Sequence, residues 1–560
     1  MHLFQIVDTV ELWSETLVAV YSRTIEFLEN IKLSLLSLPT LKGTMELSWL
    51  HITVCCAALL TLYWLSRRRT RSSGLPLPPG PPGLPIIGNL RDFSSDEVWV
   101  TYIRWGKEYK SDIIRLHSLG TNFIIINSLD AAVDLFHRRS TLYNDRPRYA
   151  MLGDLVGFGW LLDLTPYGDL WKDMRKAFHR EIGPVGLKRF ADLELAASRE
   201  LLRKLRLSPE AFMRHIRHTS TNLIMRMAYG IEIQEENDTY VDIAQEALQA
   251  FSACTNAGSF MVDLIPTMKY MPDWFPGAGF KELAKAWRVP VTAMLDRPFD
   301  FVKKHMELGD ISSCAATSLH ENMMKKGVDP AYAEHIIKST LASMYTGGAD
   351  TTVSTIQSFV LTMVLYPDVQ KKAQEEIDRV VGSSRLPDFS DYDSLPYIEA
   401  IVRETIRLHP VVPIGVPHRL TQDDEYGGYF LPKGSILIAN IWGMLHDPIV
   451  YPDPDVFNPD RFLKDGMIDP SGPDSQVAGF GFGRRLCPGR YMAKESVWIT
   501  VASLLATYKF SYAIGPNGKP VIPKEEYFPG SLSYPKPFVC DIRPRSAEAE
   551  ALIMASSNEE

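Results

Sequence analysis

The chain has 560 residues, 46% of them hydrophobic, 22% charged and 11% aromatic, a globular composition with too little charge for disorder and too much for a polytopic membrane protein. A net charge of -8 lacks the basic footprint of a nucleic-acid binder, so no nucleic-acid partner is expected. Six cysteines (Cys55, Cys56, Cys254, Cys314, Cys487, Cys540), scattered and without CxxC pairs, make neither a disulfide scaffold nor a zinc site, and 38 prolines exclude a simple helical bundle.

Residues 1–46 form an N-terminal extension with a mildly amphipathic pattern (Val10, Leu12, Leu17, Val18, Val20, Tyr21, Ile25, Leu28) and no second span. Met45 could itself start the chain, leaving 560 − 44 = 516 residues, so residues 1–44 read as a gene-model extension or a dispensable lumenal tail. Leu47 to Leu65 is uncharged over 19 positions, long enough at about 1.5 Å per residue to cross a hydrocarbon core of about 30 Å. Arg67, Arg68, Arg69 and Arg71 follow it, which puts the C-terminal bulk on the cytosolic side, with Trp49, Tyr63 and Trp64 near the interfaces. The expectation is a single-pass transmembrane anchor in the endoplasmic reticulum; a buried core helix or a cleaved signal peptide are the alternatives. Residues 66–89 are basic and then proline-rich (Pro78, Pro79, Pro81, Pro82, Pro85), a semi-rigid polyproline spacer or an SH3-type ligand.

The body, residues 90–545, is mainly α with a small β portion. Strand-like runs occur at Ile113–His117, Asn122–Asn127, Gly428–Leu431 and Ile436–Asn440, the last two separated by the turn signal Pro432-Lys433-Gly434. Periodic helical segments occupy Asp192–Leu205, Ile336–Leu365, Val369–Val380, Tyr397–His409 and Tyr491–Tyr508. Residues 546–560 read as a flexible tail.

Three stretches carry chemistry. Tyr345-Thr346-Gly347-Gly348-Ala349-Asp350-Thr351-Thr352 lies within a helix of some 30 residues. Paired glycines inside a helix cost about 1 kcal/mol each and need a reason, such as a groove, or simply a kink with a Thr cap. Glu404 and Arg407 share a helix face at i, i+3, which alone suits an ordinary surface bridge. Phe480-Gly481-Phe482-Gly483-Arg484-Arg485-Leu486-Cys487-Pro488-Gly489-Arg490 places a lone cysteine just before a helix, where the dipole and free N–H groups would favour a thiolate, a good iron ligand. Gly483 and Gly489 would let the backbone approach a large flat cofactor, and Arg485 could pair with a carboxylate on its rim; a buried structural cysteine is the alternative.

This last stretch resembles the haem signature FxxGxRxCxG of the cytochrome P-450 monooxygenases at every fixed position: Phe480, Gly483, Arg485, Cys487 and Gly489. The resemblance covers about residues 75–545 and implies the cytochrome P-450 fold, with heme b ligated axially by Cys487. It makes the 345–352 segment an oxygen-binding groove in which Thr351 is the alcohol and Asp350 the acid of a proton relay. Glu404 and Arg407 become the ExxR pair, joined by Arg461 of Phe457-Asn458-Pro459-Asp460-Arg461-Phe462 in a structural lock. Trp171 and Arg175 match WxxxR, whose members contact a haem propionate, and His418 lies where another propionate donor is often found. The residues Phe538 to Ile542 would form a final strand closing the sheet. Val262–Gly277 is similar to the fungal microsomal subset labelled O-methylsterigmatocystin oxidoreductase-like, which includes a tryptamine hydroxylase.

The resemblance implies insertion of one atom of O₂ into a C–H bond with electrons from NADPH. The chain carries no flavin or dinucleotide domain, so a separate NADPH-cytochrome P-450 reductase is expected, docking on a basic face made of those among Lys172, Arg175, Lys176, Arg484, Arg490 and Lys494 that do not bind haem; a generic solvated basic face is the alternative. Substrate would meet Arg148–Thr165, Ser259–Phe275, Ser339–Gly347, Val412–Val416 and Ser531–Tyr534, where Met151, Leu152, Phe158, Trp160, Phe260, Met261, Met344, Val412 and Ile414 suggest a lipophilic ligand. A terpenoid secondary metabolite is the first expectation, with polyketide and indole substrates behind it. Two other classes remain: a haem enzyme that rearranges peroxides without reductase, and a non-catalytic haem sensor or carrier.

Overall fold

The computed structural model describes residues 74–85, 87–93, 97–255 and 259–556. The chain divides into two units, Met1–Leu75 and Pro76–Glu560. The expected extension at 1–46, the anchor at 47–65, Arg67 to Arg71, Cys55 and Cys56 lie outside the described residues. Among the described residues, no helix is long and apolar enough to cross a membrane.

In the second unit the proline segment, expected as a semi-rigid spacer, is hydrogen-bonded to the body. Proline cannot donate, but its carbonyl accepts: Arg115 N–H donates to Pro79 at 2.8 Å and Phe430 N–H to Pro76 at 2.8 Å. The elements that follow are α1 (Val98–Tyr109), β1 (Ile113–Ser118), β2 (Thr121–Ile126), α2 (Asp169–Ile182), α3 (Ala191–Leu207), α4 (Phe212–Tyr229), α5 (Thr239–Thr255), α6 (Phe280–Leu308), α7 (Ala315–Lys325), α8 (Pro330–Leu365), α9 (Pro367–Val380), α10 (Pro396–Leu408), β3 (His418–Arg419), β4 (Asp424–Tyr426), β5 (Tyr429–Leu431), β6 (Ile436–Ala439), α11 (Arg490–Thr507), β7 (Tyr508–Ser511), β8 (Asp541–Pro544) and α12 (Ala547–Ala555), with shorter turns between. Helix α8 is the spine. Asp329 caps it by accepting from Tyr332 N–H, Pro330 occupies its first turn, and most of its 36 residues are buried against neighbouring helices.

The main sheet has the order β1-β2-β6-β3, with β2 parallel to β6 and the other pairs antiparallel. Leu119 and Gly120, at φ 46° and 89°, form the tight turn between β1 and β2. Three sequence expectations need correction. The turn at 432–434 does not pair β5 with β6; β5 pairs with β4 across Gly427-Gly428, while both edges of β6 are taken by β2 and β3. The final strand, Asp541–Pro544, does not close the main sheet but pairs with β7, which continues directly from α11. The described part of the expected flexible tail, 546–556, is packed: Ser546 caps α12, Ala549 and Ile553 are buried, and Arg206 pairs with Glu550 at 3.1 Å.

Candidate functional site

Beside α8 lies a cavity of about 270 Å³, walled by Gly347, Gly348 and Thr351 of that helix, by the 479–489 loop, and by Val411 to His418. The paired glycines do not break α8, which stays helical through 345–352. They differ in purpose. A Cβ on Gly348 would come within 3.0 Å of Ile224, so this glycine lets α4 pack closely, whereas a Cβ on Gly347 would meet open space beside the cavity.

Cys487 lines the cavity, and its N–H donates to the Phe480 carbonyl at 2.8 Å, closing the loop. Burial pushes its thiol up to about 11, outweighing the Gly489 N–H and the charges of Arg175 and Arg490, which pull it down. The dipole argument from sequence therefore loses to desolvation. A bound cation is what turns such a sulfur into a thiolate. Phe480 and Gly489 line the cavity too. Gly483 serves differently: at φ 56° its Cβ would fall 2.0 Å from the Phe136 carbonyl oxygen, so it fits the loop against the 133–138 turn rather than opening space for a cofactor.

The same loop contributes to a buried cationic wall of the cavity. Arg485 lines the cavity, donates to the carbonyls of Asn144, Leu162 and Thr165, and stacks on the Trp171 ring at 4.6 Å. Burial and the neighbouring charge of Arg146 push it down to about 9. His418 Nδ1–H donates to Tyr143 at 2.7 Å, and burial, with the charges of Arg146 and Arg485, drives its pKa well below the usual histidine range. Arg146 completes the wall, donating to Val416 at 2.7 Å and Pro417 at 2.8 Å while its buried Nε finds no partner. Sequence reasoning missed Arg146. Its only signal was an arginine preceding Pro147, and nothing local says that it is buried. Trp171 and Arg175 reach this region from behind: Trp171 underlies Arg485, and Arg175 donates to the Leu486 carbonyl next to the cysteine.

A haem fits this donor set. Two buried arginines bonded to carbonyls, one with an orphaned N–H, face only one carboxylate in the cavity lining, the exposed Asp163. That imbalance suits a pair of propionates, while the Cys487 sulfur, two residues beyond Arg485 on the same loop and lining the same cavity, suits the iron.

The two relay residues separate. Thr351 lines the cavity and its Oγ1 donates to Gly347 at 2.7 Å. Asp350, adjacent on the helix, is not in the cavity lining; its carboxylate accepts from Arg217 at 2.5 Å and from the Tyr534 hydroxyl. The structural lock assembles fully. Arg407 donates twice to Glu404, at 2.7 and 2.9 Å, Arg461 donates to it at 3.2 Å, and Asn458 N–H adds 2.8 Å, with Glu404 and Arg407 completely buried.

The three lysines of the expected basic face are paired with acids, whereas its arginines are bonded to neutral oxygens and keep their charge. Lys172 pairs with Asp169 at 2.9 Å, Lys176 with Asp173 at 3.0 Å and Lys494 with Glu399 at 3.3 Å, while Arg490 donates to the Cys487 carbonyl and Arg484 to the Tyr167 hydroxyl. Of the apolar residues expected to meet substrate, Met344 and Val412 line the cavity. Met151, Leu152, Phe158 and Trp160 belong to the adjoining core, Phe260 packs edge-on against Trp287, Ile414 is half-buried against α1's cluster, and Met261 is exposed. Glu200, His218 and Glu235 could hold a metal ion by spacing, but the Lys204 ammonium already sits among them at 2.6 to 3.0 Å.

The family model described as cytochrome P-450 matches residues 78–540. A cytochrome P-450 monooxygenase of Armillaria gallica is 41% identical over 90% of this chain and 98% of its own length. One from Ampulloclitocybe clavipes is 38% identical over 90% of this chain and 92% of its own. The tryptamine 4-monooxygenase of Psilocybe cyanescens is 37% identical over 87% of this chain and 96% of its own.

Proposed function

The chain belongs to the cytochrome P-450 family, a family of haem-thiolate monooxygenases, and from that premise we propose that it oxidises a lipophilic secondary metabolite, a terpenoid first, with electrons from a separate NADPH-dependent reductase. Cys487 is the proposed iron ligand. The observation that carries this reading is the cavity that joins the Cys487 sulfur to the Arg146, Arg485 and His418 wall.

When bound, the haem supplies the oxidising chemistry that places one atom of O₂ in a C–H bond and sends the other to water. The chain's part is placement and protons. Arg485, steadied by Trp171, and Arg146 neutralise the propionates, with neutral His418 beside them, its one N–H given to the Tyr143 carbonyl and its Nε2 left as an acceptor. Gly347 leaves room beside the site, and the Thr351 hydroxyl, which donates to the Gly347 carbonyl at rest, turns from it to present a proton to the site. Asp350, one residue earlier, resupplies that proton from the Arg217 and Tyr534 side. Glu404, Arg407 and Arg461 hold α10 to the segment that follows it, fixing the frame around the site.

The substrate reading rests on the remaining wall. Ile224, Met344, Val412, Val416 and Ile441 are apolar, relieved only by the hydroxyls of Ser343, Thr351, Thr352 and Thr355. The one carboxylate in the lining, Asp163, stands with the arginines, and Asp263, committed to the Met151 N–H at 2.8 Å, is not in the lining, so the apolar part of the wall offers no anchor for a cationic amine. An indole or polyketide substrate is the second reading, favoured by the similarity to a tryptamine 4-monooxygenase. Membrane association is part of the proposal: the expected anchor at 47–65 is joined by Tyr270, Trp274 and Phe275, exposed at 77%, 81% and 47%, amphipathic and apolar rings suited to a lipid interface. The test is to express the protein with a reductase, feed terpenoid, indole and polyketide candidates, and look for an added oxygen mass. Product from an indole and none from any terpenoid would reverse the order of the two readings.

A further inference from the structure

A second cavity, of about 230 Å³, lies away from the first, walled by Arg180, Arg189, Ser313, Thr317, Ser318, Glu321, Asn322 and Lys325. Unlike the first it has almost no apolar surface. Ser318, Glu321, Asn322 and Lys325 follow one another at i, i+3, i+4 and i+7, so a single face of α7 supplies one wall. The opposite wall comes from Arg180, at the end of α2, and Arg189, in the turn before α3.

These two arginines share one acid. Glu181 is completely buried; one carboxylate oxygen accepts from Arg189, and the other lies 3.3 Å from Arg180 Nε and accepts from Ser318 Oγ at 3.1 Å. One carboxylate balances one guanidinium, so the second charge is surplus. It is also held in place, because the buried carboxylate orients both arginines before anything binds. Lys325 adds a cation at the far end; its partner Glu321 stands 3.7 Å away with both side chains mostly exposed, a weak pair. The count for the cavity with its backing acid is three cations (Arg180, Arg189, Lys325) against two carboxylates (Glu181, Glu321).

We infer that this cavity is a binding site for a phosphoryl group, held by the Arg180 and Arg189 guanidiniums with Asn322 and Lys325 at its edge. Planar guanidiniums fixed by a shared carboxylate present paired donors to a tetrahedral oxyanion, which is the geometry arginine serves best. The lining is polar and cationic with no apolar or aromatic wall for a base, so the site suits a phosphate or pyrophosphate group rather than an entire nucleotide. The inference does not depend on the substrate reading, because none of these residues lines the first cavity.

The test uses the full-length, haem-loaded protein in detergent, with phosphate, pyrophosphate or chloride added at constant ionic strength and the thermal midpoint recorded. Pyrophosphate should raise the midpoint saturably where chloride does not. The combination Arg180→Gln with Lys325→Gln, two exposed positions that leave the Glu181–Arg189 pair intact, should require at least about tenfold more pyrophosphate for the same shift. An unchanged haem spectrum in that variant certifies its fold. No saturable shift beyond chloride, or equal shifts in the variant and the parent, would overturn the site. Vesicles of phosphatidylcholine carrying a phosphatidylinositol phosphate separate the two sources. Displacement of pyrophosphate by these vesicles, and not by phosphatidylcholine alone, identifies a lipid headgroup; undisturbed binding identifies a free phosphoryl ligand.

Discussion

Arg217, on α4, reaches the carboxylate of Asp350, on α8, at 2.5 Å, and so holds the acid of the proposed relay on the side away from the cavity that Thr351 faces. Acid and alcohol are neighbours in sequence but, at about 100° per residue, not on one helix face. Proton supply to the cavity therefore requires Asp350 to be reachable from the Arg217 side.

Arg217→Ala should uncouple the enzyme more than it unfolds it. Arg217 is 37% exposed but the Asp350 side chain only 8%, so its loss leaves a buried carboxylate held by Tyr534 and should cost between the ~1 kcal/mol of a surface pair and the roughly 3–5 kcal/mol of a fully buried one. Product formed per NADPH consumed should fall, and the solvent isotope effect on turnover should change. Unaltered coupling together with an unaltered isotope effect contradicts the relay.

Glu404→Ala should prevent recovery of a folded haem protein. It strips the partner from two guanidiniums, one of them fully buried, at a cost of about 3–5 kcal/mol. Arg407→Lys should fare little better, because a single ammonium cannot replace the two bonds at 2.7 and 2.9 Å. Yield of holoprotein and the thermal midpoint read both outcomes.

Acid lability should come partly from His446, whose pKa is pushed down to about 3 by burial and by the Arg407 charge. The histidine is neutral in the fold, while the unfolded chain takes up a proton near 6.5. Stability is therefore lost as pH falls below 6.5 and continues to fall toward 3. The slope from this group is at most about 1.4 kcal/mol per pH unit, or about 2 kcal/mol between pH 6.5 and 5. His446→Gln should flatten the stability curve over that range, and an unchanged curve rules the contribution out.

Asp263 should act with the opposite sign. Burial pushes its carboxyl up to about 6 against the backbone N–H groups of Met151 and Ala150, which pull it down. Its contribution is complete below the unfolded value near 4 and is lost as pH rises through 6. Asp263→Asn keeps an acceptor for the 150–155 turn and should remove that pH dependence with little loss at neutral pH. Asp263→Ala leaves those N–H groups unmet and should cost about 1–3 kcal/mol. Midpoints from pH 4 to 8 distinguish the two variants.

Much of this architecture was legible where chemistry is local. The α8 segment, α9, α10 and the helix after Cys487 follow from period and prolines, and the Glu404–Arg407 pair from i, i+3 spacing. What was not legible depends on partners distant in sequence. Arg146 is an ordinary arginine until 270 residues later Val416 and Pro417 supply carbonyls to it. Gly483 looked like a cofactor contact, yet its neighbour is the Phe136 carbonyl. The turn at 432–434 was real, but pairing is decided by which strand edges remain open, and β2 and β3 had taken those of β6.

The most direct measurement is the spectrum of the reduced, CO-bound protein, wild type beside Cys487→Ala. The account requires the red-shifted Soret band of a thiolate-ligated haem in the wild type and its loss in the variant, with Cys254, Cys314 and Cys540 unable to replace it. A wild type without that band, or a variant that keeps it, would contradict ligation by Cys487.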